Sequence, residues 1–301
     1  MSTAEFDVVV NNSELEGVLN FRDVGRTINS FLKSKVLKEG LLFRSARLDD
    51  ASLKDRERLK GDFAVQTVID LRSTTEHLNA SKKRQSDASI PALLKANPAL
   101  AEPPQIPGVR YQSINLTSRR FELFLLFQLS WLNILKFLFL FLTGNRMSAL
   151  YLLGSLVMKP RGLLRLGLDT LDFSKPQISS ALFALLPSPH SSSSPTLIHC
   201  TQGKDRTGMV VLLALLIADV PPEAVEYDYS LTDAALQPEK EARLAEVREI
   251  GLSDEFVNTT PGLVSATIEY LDERYGGLES YLDGIGFGKA EREMLREALL
   301  C

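Results

Sequence analysis

Cysteine is almost missing from this chain: its 301 residues hold two, Cys200 and the terminal Cys301. A disulfide framework is thereby excluded in practice, and a reducing, cytoplasmic setting is the expectation. Histidine is scarce as well, at positions 77, 190 and 199. With two distant cysteines they make no metal-ligand cluster, so neither a metal nor another cofactor is expected. An excess of positive charge is also lacking. Lys and Arg number 34 against 38 Asp and Glu, and the formal net charge of -4 argues against a general nucleic-acid binder. The first residues, MSTAEFDVVVNNSE, have no basic region followed by an apolar core, so no export leader is expected. No internal repeat is visible. What remains is ordinary globular composition, 45% hydrophobic and 24% charged, read as one domain over 1–301.

The most informative stretch is TLIHCTQGKDRTGMVVLLALLIA, residues 196–218. Thr196 to His199 has the character of a buried strand, Cys200 to Gly208 is a polar loop with two glycines, and an apolar run of helix length follows. A strand, a tight loop and a helix in that order make an anion trap, because loop N–H groups and the helix N-terminus converge on one spot. Cys200 opens the trap and Arg206 closes it, with five residues between. That spacing wraps one phosphate between a sulfur and a guanidinium fork. Cys200 is expected as a thiolate that attacks phosphorus. Thr201, Gln202, Gly203, Lys204, Thr207 and Gly208 are expected to bind the phosphate, with Thr207 also a candidate hydrogen-bond donor to the departing sulfur. His199 is placed to shape the loop from behind.

Upstream, GVLNFRDVG (17–25) reads as a short strand into a turn, and KEGLLFRSARL (38–48) as a second strand. ASLKDRERLKG reads as a helix, with Asp50 as N-cap and Gly61 just past its end. Val65 to Leu71 is β-branched and apolar, as in a buried parallel strand, and ends in Asp70, Leu71, Arg72, Ser73. Polar residues at the C-terminal end of a parallel strand are where open α/β sheets bind ligands. Asp70 and Arg72, ahead of Arg44, are therefore expected behind the phosphate site. Arg22–Asp23 and Arg72–Glu76 also read as ion pairs fixing turns.

These residues carry a resemblance. HCTQGKDRTG resembles the H-C-x-x-x-x-x-R-[ST] signature of the protein-tyrosine phosphatase superfamily, and more narrowly the branch whose loop reads H-C-x-x-G-K-D-R-T-G. NFRDVG, LFRSA and VIDLRSTTE resemble that branch's N-terminal blocks, and 261–300 resembles its C-terminal end. The resemblance implies a mostly parallel α/β sheet of about four to five strands flanked by helices. It implies phosphomonoester hydrolysis through a cysteinyl phosphate, on phosphotyrosine and phosphoserine/threonine proteins. Phosphoinositides are the alternative substrate, and a catalytically silent phosphate binder the non-enzyme alternative. The sequence departs from the superfamily in one respect: its single tryptophan, Trp131, is followed by Leu-Asn rather than Pro-Asp. The general acid must come from elsewhere. Asp205 is the first candidate and Asp70 the second, while Asp169 and Asp172 have only their spacing in favour. Lys204, a second cation in the loop, points to substrates with more than one phosphate.

Residues 79–108 carry five prolines and read as a flexible surface excursion. Residues 118–190 read as an inserted apolar lid over Cys200. Within it, 121–142 is predominantly apolar but contains Glu122, Gln128, Asn133 and Lys136. It is read as a packed lid helix, with membrane-surface contact as the alternative and a true span the least favoured, since a charge in mid-bilayer is costly.

Overall fold

The computed structural model describes residues 15–86, 105–187 and 194–301. Five strands form one sheet: β1 Arg22–Asp23, β2 Leu42–Ser45, β3 Thr67–Asp70, β4 Arg110–Ser113 and β5 Thr196–His199. Their order is β1-β2-β5-β3-β4, with β2, β5, β3 and β4 parallel and only β1 antiparallel. The expected α/β fold, mostly parallel with helices around the sheet, is the one observed. The strand that precedes the cysteine lies at the centre. Ser45 and Asp70 both pair with His199, so three parallel strands end level and the loops after them meet at one edge. β2, β3 and β5 are buried at every position, which explains their continuous apolar character.

The helix Asp205–Ile217 runs from the loop back through the largest core cluster, buried from Thr207 through Leu215. From Thr207 on this helix has no solvent face and is fixed by packing on every side, while Asp205 and Arg206 in its first turn face the cavity above Cys200. That firm seat holds Arg206 and Thr207 in place.

Several local expectations are corrected. The first strand is two residues long and gives way at once to the helix Val24–Leu32, because the Asp23 carboxylate accepts the Arg26 N–H and caps it. The next helix, Leu53–Gly61, is capped by Ser52 rather than Asp50. Ser52 and Asp55 exchange hydrogen bonds in a capping box that Asp50 cannot make. The excursion at 79–108 starts later than expected, since the helix Thr74–Ser86 occupies its first residues. Residues 87–104 lie outside the described residues. The apolar stretch 121–142 is two helices, Arg119–Phe127 and Trp131–Leu142, broken at Ser130. Among the described residues no helix is long and apolar enough to cross a membrane. Gly162, at φ 76° and ψ 161°, breaks the helical run Lys159–Phe173.

The inserted helices do not sit where a lid would. Phe121, Leu125, Leu129, Val157 and Leu166 pack with Val247, Leu252, Phe256 and Val257, against the helix Lys240–Glu249 and the turn beyond it. None of the described residues of 118–190 lines the cavity above Cys200. The insertion braces the back of one wall and leaves the mouth to other elements.

Candidate active site

Cys200 follows β5 directly and is buried at the floor of a cavity of about 520 Å³. Four successive carbonyls of its loop are tied down from outside. The Cys200 oxygen lies 3.2 Å from His199 Nδ1, and the Thr201 oxygen accepts the Arg47 N–H at 3.1 Å. Asn20 Nδ2 donates to the Gln202 and Gly203 oxygens at 2.9 and 3.2 Å, and Arg44 Nη2 donates to the Gly203 oxygen at 2.7 Å. In a trans peptide the N–H points opposite the C=O. With these carbonyls turned out, the amides of Thr201 through Lys204 face the loop's interior. The Gly203 N–H confirms the sense, since it donates to Cys200 Sγ at 3.2 Å. The loop is thus a nest of inward donors above a sulfur. Gly203 is required there: its φ is +67°, and a Cβ would stand 2.1 Å from the Ser45 carbonyl oxygen.

The groups behind the loop are ionic and buried. Arg22 Nε and Arg44 Nη1 share the Asp228 carboxylate at 2.8 and 2.5 Å. Burial brings the Arg22 guanidinium down to about 10, with Arg44 adding to the effect against the pull of Asp228. Burial alone would raise Asp228, but the two guanidiniums more than offset it and hold the carboxyl below its usual range. Arg22 also bonds Asn20, so Asp228, two arginines and one asparagine form a single scaffold under Gln202 and Gly203. The sequence reading had Arg22 paired with Asp23; its partner is 206 residues away in sequence. Arg44 lies in this scaffold, nearer the loop backbone than was expected of it.

Arg206 is gripped by a residue the sequence reading gave to another partner. Glu76, in the first turn of Thr74–Ser86, accepts from Arg206 Nη1 and Nη2 at 2.6 Å each. Thr201 Oγ1 donates to the same carboxylate, as do Ser73 N and Oγ at 2.9 Å. Burial would raise Glu76, but its bonds to Arg206 and Thr201 bring it far below the usual carboxylate range. Arg206 is raised correspondingly, as the Glu76 carboxylate and the nearby Cys200 outweigh its desolvation. Both Nη atoms being engaged, the fork is aimed by Glu76 rather than free to swing. The only sequence signal for Glu76 was its place in Ser-Thr-Thr-Glu, a capping-box pattern that does not reveal a partner 130 residues on.

Arg72 turns to Asp70 and Asp49 instead of Glu76, donating to Asp70 from Nε at 3.0 Å and Nη2 at 2.7 Å. Burial favours protonation of Asp70, but His199 and Arg72 overcome it and hold the carboxyl at about 2. A carboxylate held this low by two Arg72 bonds is a poor proton donor near neutral pH. His199, buried and desolvated, is held below its usual value. Its Nε2 lies 3.6 Å from Asp70. Both residues stand behind the loop, as does Arg72, whose edge reaches the cavity.

Of the four acid candidates, Asp205 lines the cavity; Asp70, Asp169 and Asp172 do not. Asp169 is held by Arg161 and Arg165, and Asp172 by Tyr270 and Arg274. Asp205 is the first residue of its helix, with a side chain 44% exposed. Lys204 departs from expectation. Its ammonium is fully buried, donating to the Phe256 and Asn258 carbonyls at 3.0 and 2.7 Å, and lies 3.3 Å from Asp205 Oδ1. It pins the turn at 254–258 to the loop and supplies no open cation at the mouth. The Thr207 hydroxyl is fully buried with no partner among the described residues, and Gly208 lets the Tyr229 ring approach: a Cβ there would sit 3.1 Å from it. Gln202 lines the cavity. The remaining wall comes from Asp49, Asp50 and Arg47, from Asn79 and Ala80 of the helix Thr74–Ser86, and from Glu239, Ala242, Arg243 and Glu246 at the Lys240–Glu249 helix. Sequence reading had assigned none of that helix to the site. Among the described residues no group of three or more His, Cys, Asp or Glu side chains is placed to hold a metal ion.

A parallel α/β sheet whose central strand runs into a cysteine loop, closed in the first turn of a helix by an arginine, defines the proteins that seat an oxyanion over a thiol. Within that class the chain belongs to the tyrosine phosphatase family, whose model matches residues 13–301. It is similar to the triple specificity protein phosphatase PtpB of Mycobacterium tuberculosis, with 33% identity over 122 residues that make up 35% of this chain and 44% of that protein. It is also similar to the tyrosine-protein phosphatase of Nostoc commune, with 30% identity over 112 residues, 34% of this chain and 38% of that one. The chain matches less than half the length of either relative.

Proposed function

We propose that the chain hydrolyses phosphomonoesters through a cysteinyl phosphate, with phosphotyrosine proteins as its first substrates and phosphoserine/threonine proteins as further ones. The observation that carries this reading is the loop itself: inward amides over Cys200 Sγ, with Arg206 aimed by Glu76. The amides of 201–204 and the Arg206 guanidinium bind the phosphoryl oxygens, and their donors strengthen as charge shifts onto them. The Cys200 thiolate attacks phosphorus, the P–O bond to the substrate breaks, and the Asp205 carboxylic acid gives its proton to the departing oxygen. Water then attacks the phosphocysteine, the Asp205 carboxylate takes its proton, and thiolate and phosphate are released. Thr207 stands beside this step as a donor to the sulfur. Since Cys200 must stay reduced, a cytoplasmic location suits the enzyme.

Protein substrates are preferred over phosphoinositides on charge. The cavity wall carries Arg47, Arg72, Arg206 and Arg243 but six carboxylates, among them Asp49, Asp50, Glu239 and Glu246, and the buried Lys204 reaches only Asp205 among them. A mouth with this balance attracts a polyphosphorylated head group weakly. Lipid phosphomonoesters remain the second reading because the apolar helix Trp131–Leu142 has no buried residue. Initial rates on phosphotyrosine peptides, phosphoserine peptides and soluble phosphoinositide head groups separate the readings. Faster turnover of the head groups than of any peptide would overturn the preference, and no turnover of any of them would leave the phosphate-binding protein.

A further inference from the structure

We propose that the helical hairpin formed by Trp131–Leu142 and Arg146–Leu153 docks on an anionic lipid bilayer, lying in its surface. In the first of these helices Trp131, Leu135, Leu138 and Leu142 are all exposed, at spacings that put them on one outward face. Trp131 is 69% exposed and Leu142 84%. The second helix continues the apolar surface with Met147, Leu150 and Tyr151. The inner face is the part that packs: Ile134 and Phe137 rest on the cluster that holds Val247. An apolar face of this extent turned outward marks an interaction surface.

Charge selects the occupant. No Asp or Glu occurs from 123 through 168, whereas Lys136, Arg146, Lys159, Arg161 and Arg165 do, in a chain whose net charge is -4. Arg161 and Arg165 are engaged with Asp169, but Lys136 and Arg146 are exposed on the hairpin itself and Lys159 is exposed just after it. One carboxylate from outside the hairpin, Glu249, shares a groove with Lys136. An apolar face rimmed by cations fits acyl chains below anionic head groups. The geometry excludes spanning: a helix of 12 residues is about 18 Å long, short of a bilayer core of about 30 Å. A second copy of this chain would bring like charges together at the same rim.

The hairpin is fixed to the catalytic wall. The Gly154 backbone rests on the Ile250 carbonyl, where a Cβ would come within 1.9 Å of its oxygen, and a Cβ on Gly251 would stand 2.8 Å from the Tyr151 carbonyl oxygen. Ile250 and Gly251 end the helix whose Ala242, Arg243 and Glu246 line the cavity. Docking would therefore hold the mouth at a set position relative to the lipid surface. This inference is independent of the lipid-substrate reading, since it concerns where the enzyme sits and not what it cleaves.

Trp131 is the chain's single tryptophan and a built-in reporter. The full chain would be titrated with vesicles of phosphatidylcholine alone and of phosphatidylcholine with phosphatidylserine. The expected result is a blue shift of tryptophan emission and co-sedimentation on the anionic vesicles, both reduced by salt. Leu135→Ser with Leu142→Ser is expected to weaken that binding at least about tenfold while leaving lipid-free p-nitrophenyl phosphate hydrolysis unchanged. Lys136→Glu with Arg146→Glu is expected to abolish the preference for anionic vesicles. No shift on either vesicle overturns the proposal. A shift that follows protein concentration without lipid, with a dimer's mass, assigns the face to a second copy instead. A lipid-free shift on adding orthovanadate, a phosphate mimic, assigns it to closure over the chain's own cavity. Hydrolysis is read without lipid, so loss of docking and loss of the phosphatase reading are told apart.

Discussion

Removing the Glu76 carboxylate tests how the Arg206 fork is aimed. Glu76→Ala deletes two charge-assisted hydrogen bonds of 2.6 Å to Arg206 and the bond from Thr201. Each such bond in a protein interior is worth about 1.5–3 kcal/mol. Here the side chains are 22% and 29% exposed, so solvent screens the pair and the full sum does not apply. A net loss of about 2 kcal/mol in transition-state binding is the reasoned value, about thirty-fold in kcat/KM. The loss should fall on kcat more than on KM, because Arg206 gains its strongest contacts as charge builds on the equatorial oxygens. Glu76→Gln, which keeps one acceptor, should lie between. Steady-state kinetics on p-nitrophenyl phosphate give the values, and a double-mutant cycle with Arg206→Ala gives the coupling. If Glu76 acts through Arg206, Glu76→Ala costs almost nothing further in the Arg206→Ala background. Wild-type kcat/KM in Glu76→Ala, or additive losses in the cycle, would refute the reasoning. Glu76 is depressed from 4.5, so its contribution is complete above that pH and is lost only as pH falls toward the folded value. The acidic limb of the rate profile near pH 5 should therefore be unchanged in the variant.

Other outcomes follow from the same geometry. Asp205→Asn should lower kcat and flatten the limb of the pH profile that reports the general acid, while Asp70→Asn should leave that limb in place; the reverse pattern would move the acid to Asp70. Asp228→Ala strands Arg22 and Arg44 as buried unpaired cations and should cost about 3–5 kcal/mol of stability, read by urea denaturation; a loss under about 1 kcal/mol would mean water reaches the scaffold. Asp70 is held at about 2 against a reference of 3.8, so its contribution is present above pH 3.8 and lost as pH falls from there toward 2. Its worth is about 2 kcal/mol, and acid titration of Asp70→Asn should show that share of the wild-type pH dependence missing.

How much of this was legible in the sequence depended on distance along the chain. The strand, loop and helix at 196–217 are contiguous, and their periods and glycines report a local structure that the surrounding sheet only confirms. β2 and β3 were visible as apolar runs because both of their faces are buried. The partners of charged residues were not visible. Arg22 looks for a carboxylate and finds Asp23 next door, yet a strand alternates its side chains: Arg22 turns to one face and meets Asp228, while Asp23 turns to the other and caps the next helix. Arg72 and Glu76 are four apart, but Arg72 is still in the loop after β3, so helical spacing does not apply and each finds a different partner. Lys204 stands two residues before the arginine that closes the loop, and only the turn at 254–258, whose carbonyls accept from it, decides that the ammonium is buried behind Asp205 rather than open at the mouth. The insertion was legible as apolar helices and not as a lid or a brace, since that depends on Val247 and Phe256, which lie well beyond its end.

The most direct test of the account is to trap the phosphoenzyme. Wild type and Cys200→Ser would be mixed with radiolabelled phosphotyrosine peptide, quenched in acid within milliseconds and analysed by peptide mapping. The account predicts label on the peptide that contains Cys200, stable in acid and released by iodine as an S-phosphate would be, and none in Cys200→Ser. Turnover by Cys200→Ser at the wild-type rate, or label on any other residue, would contradict it.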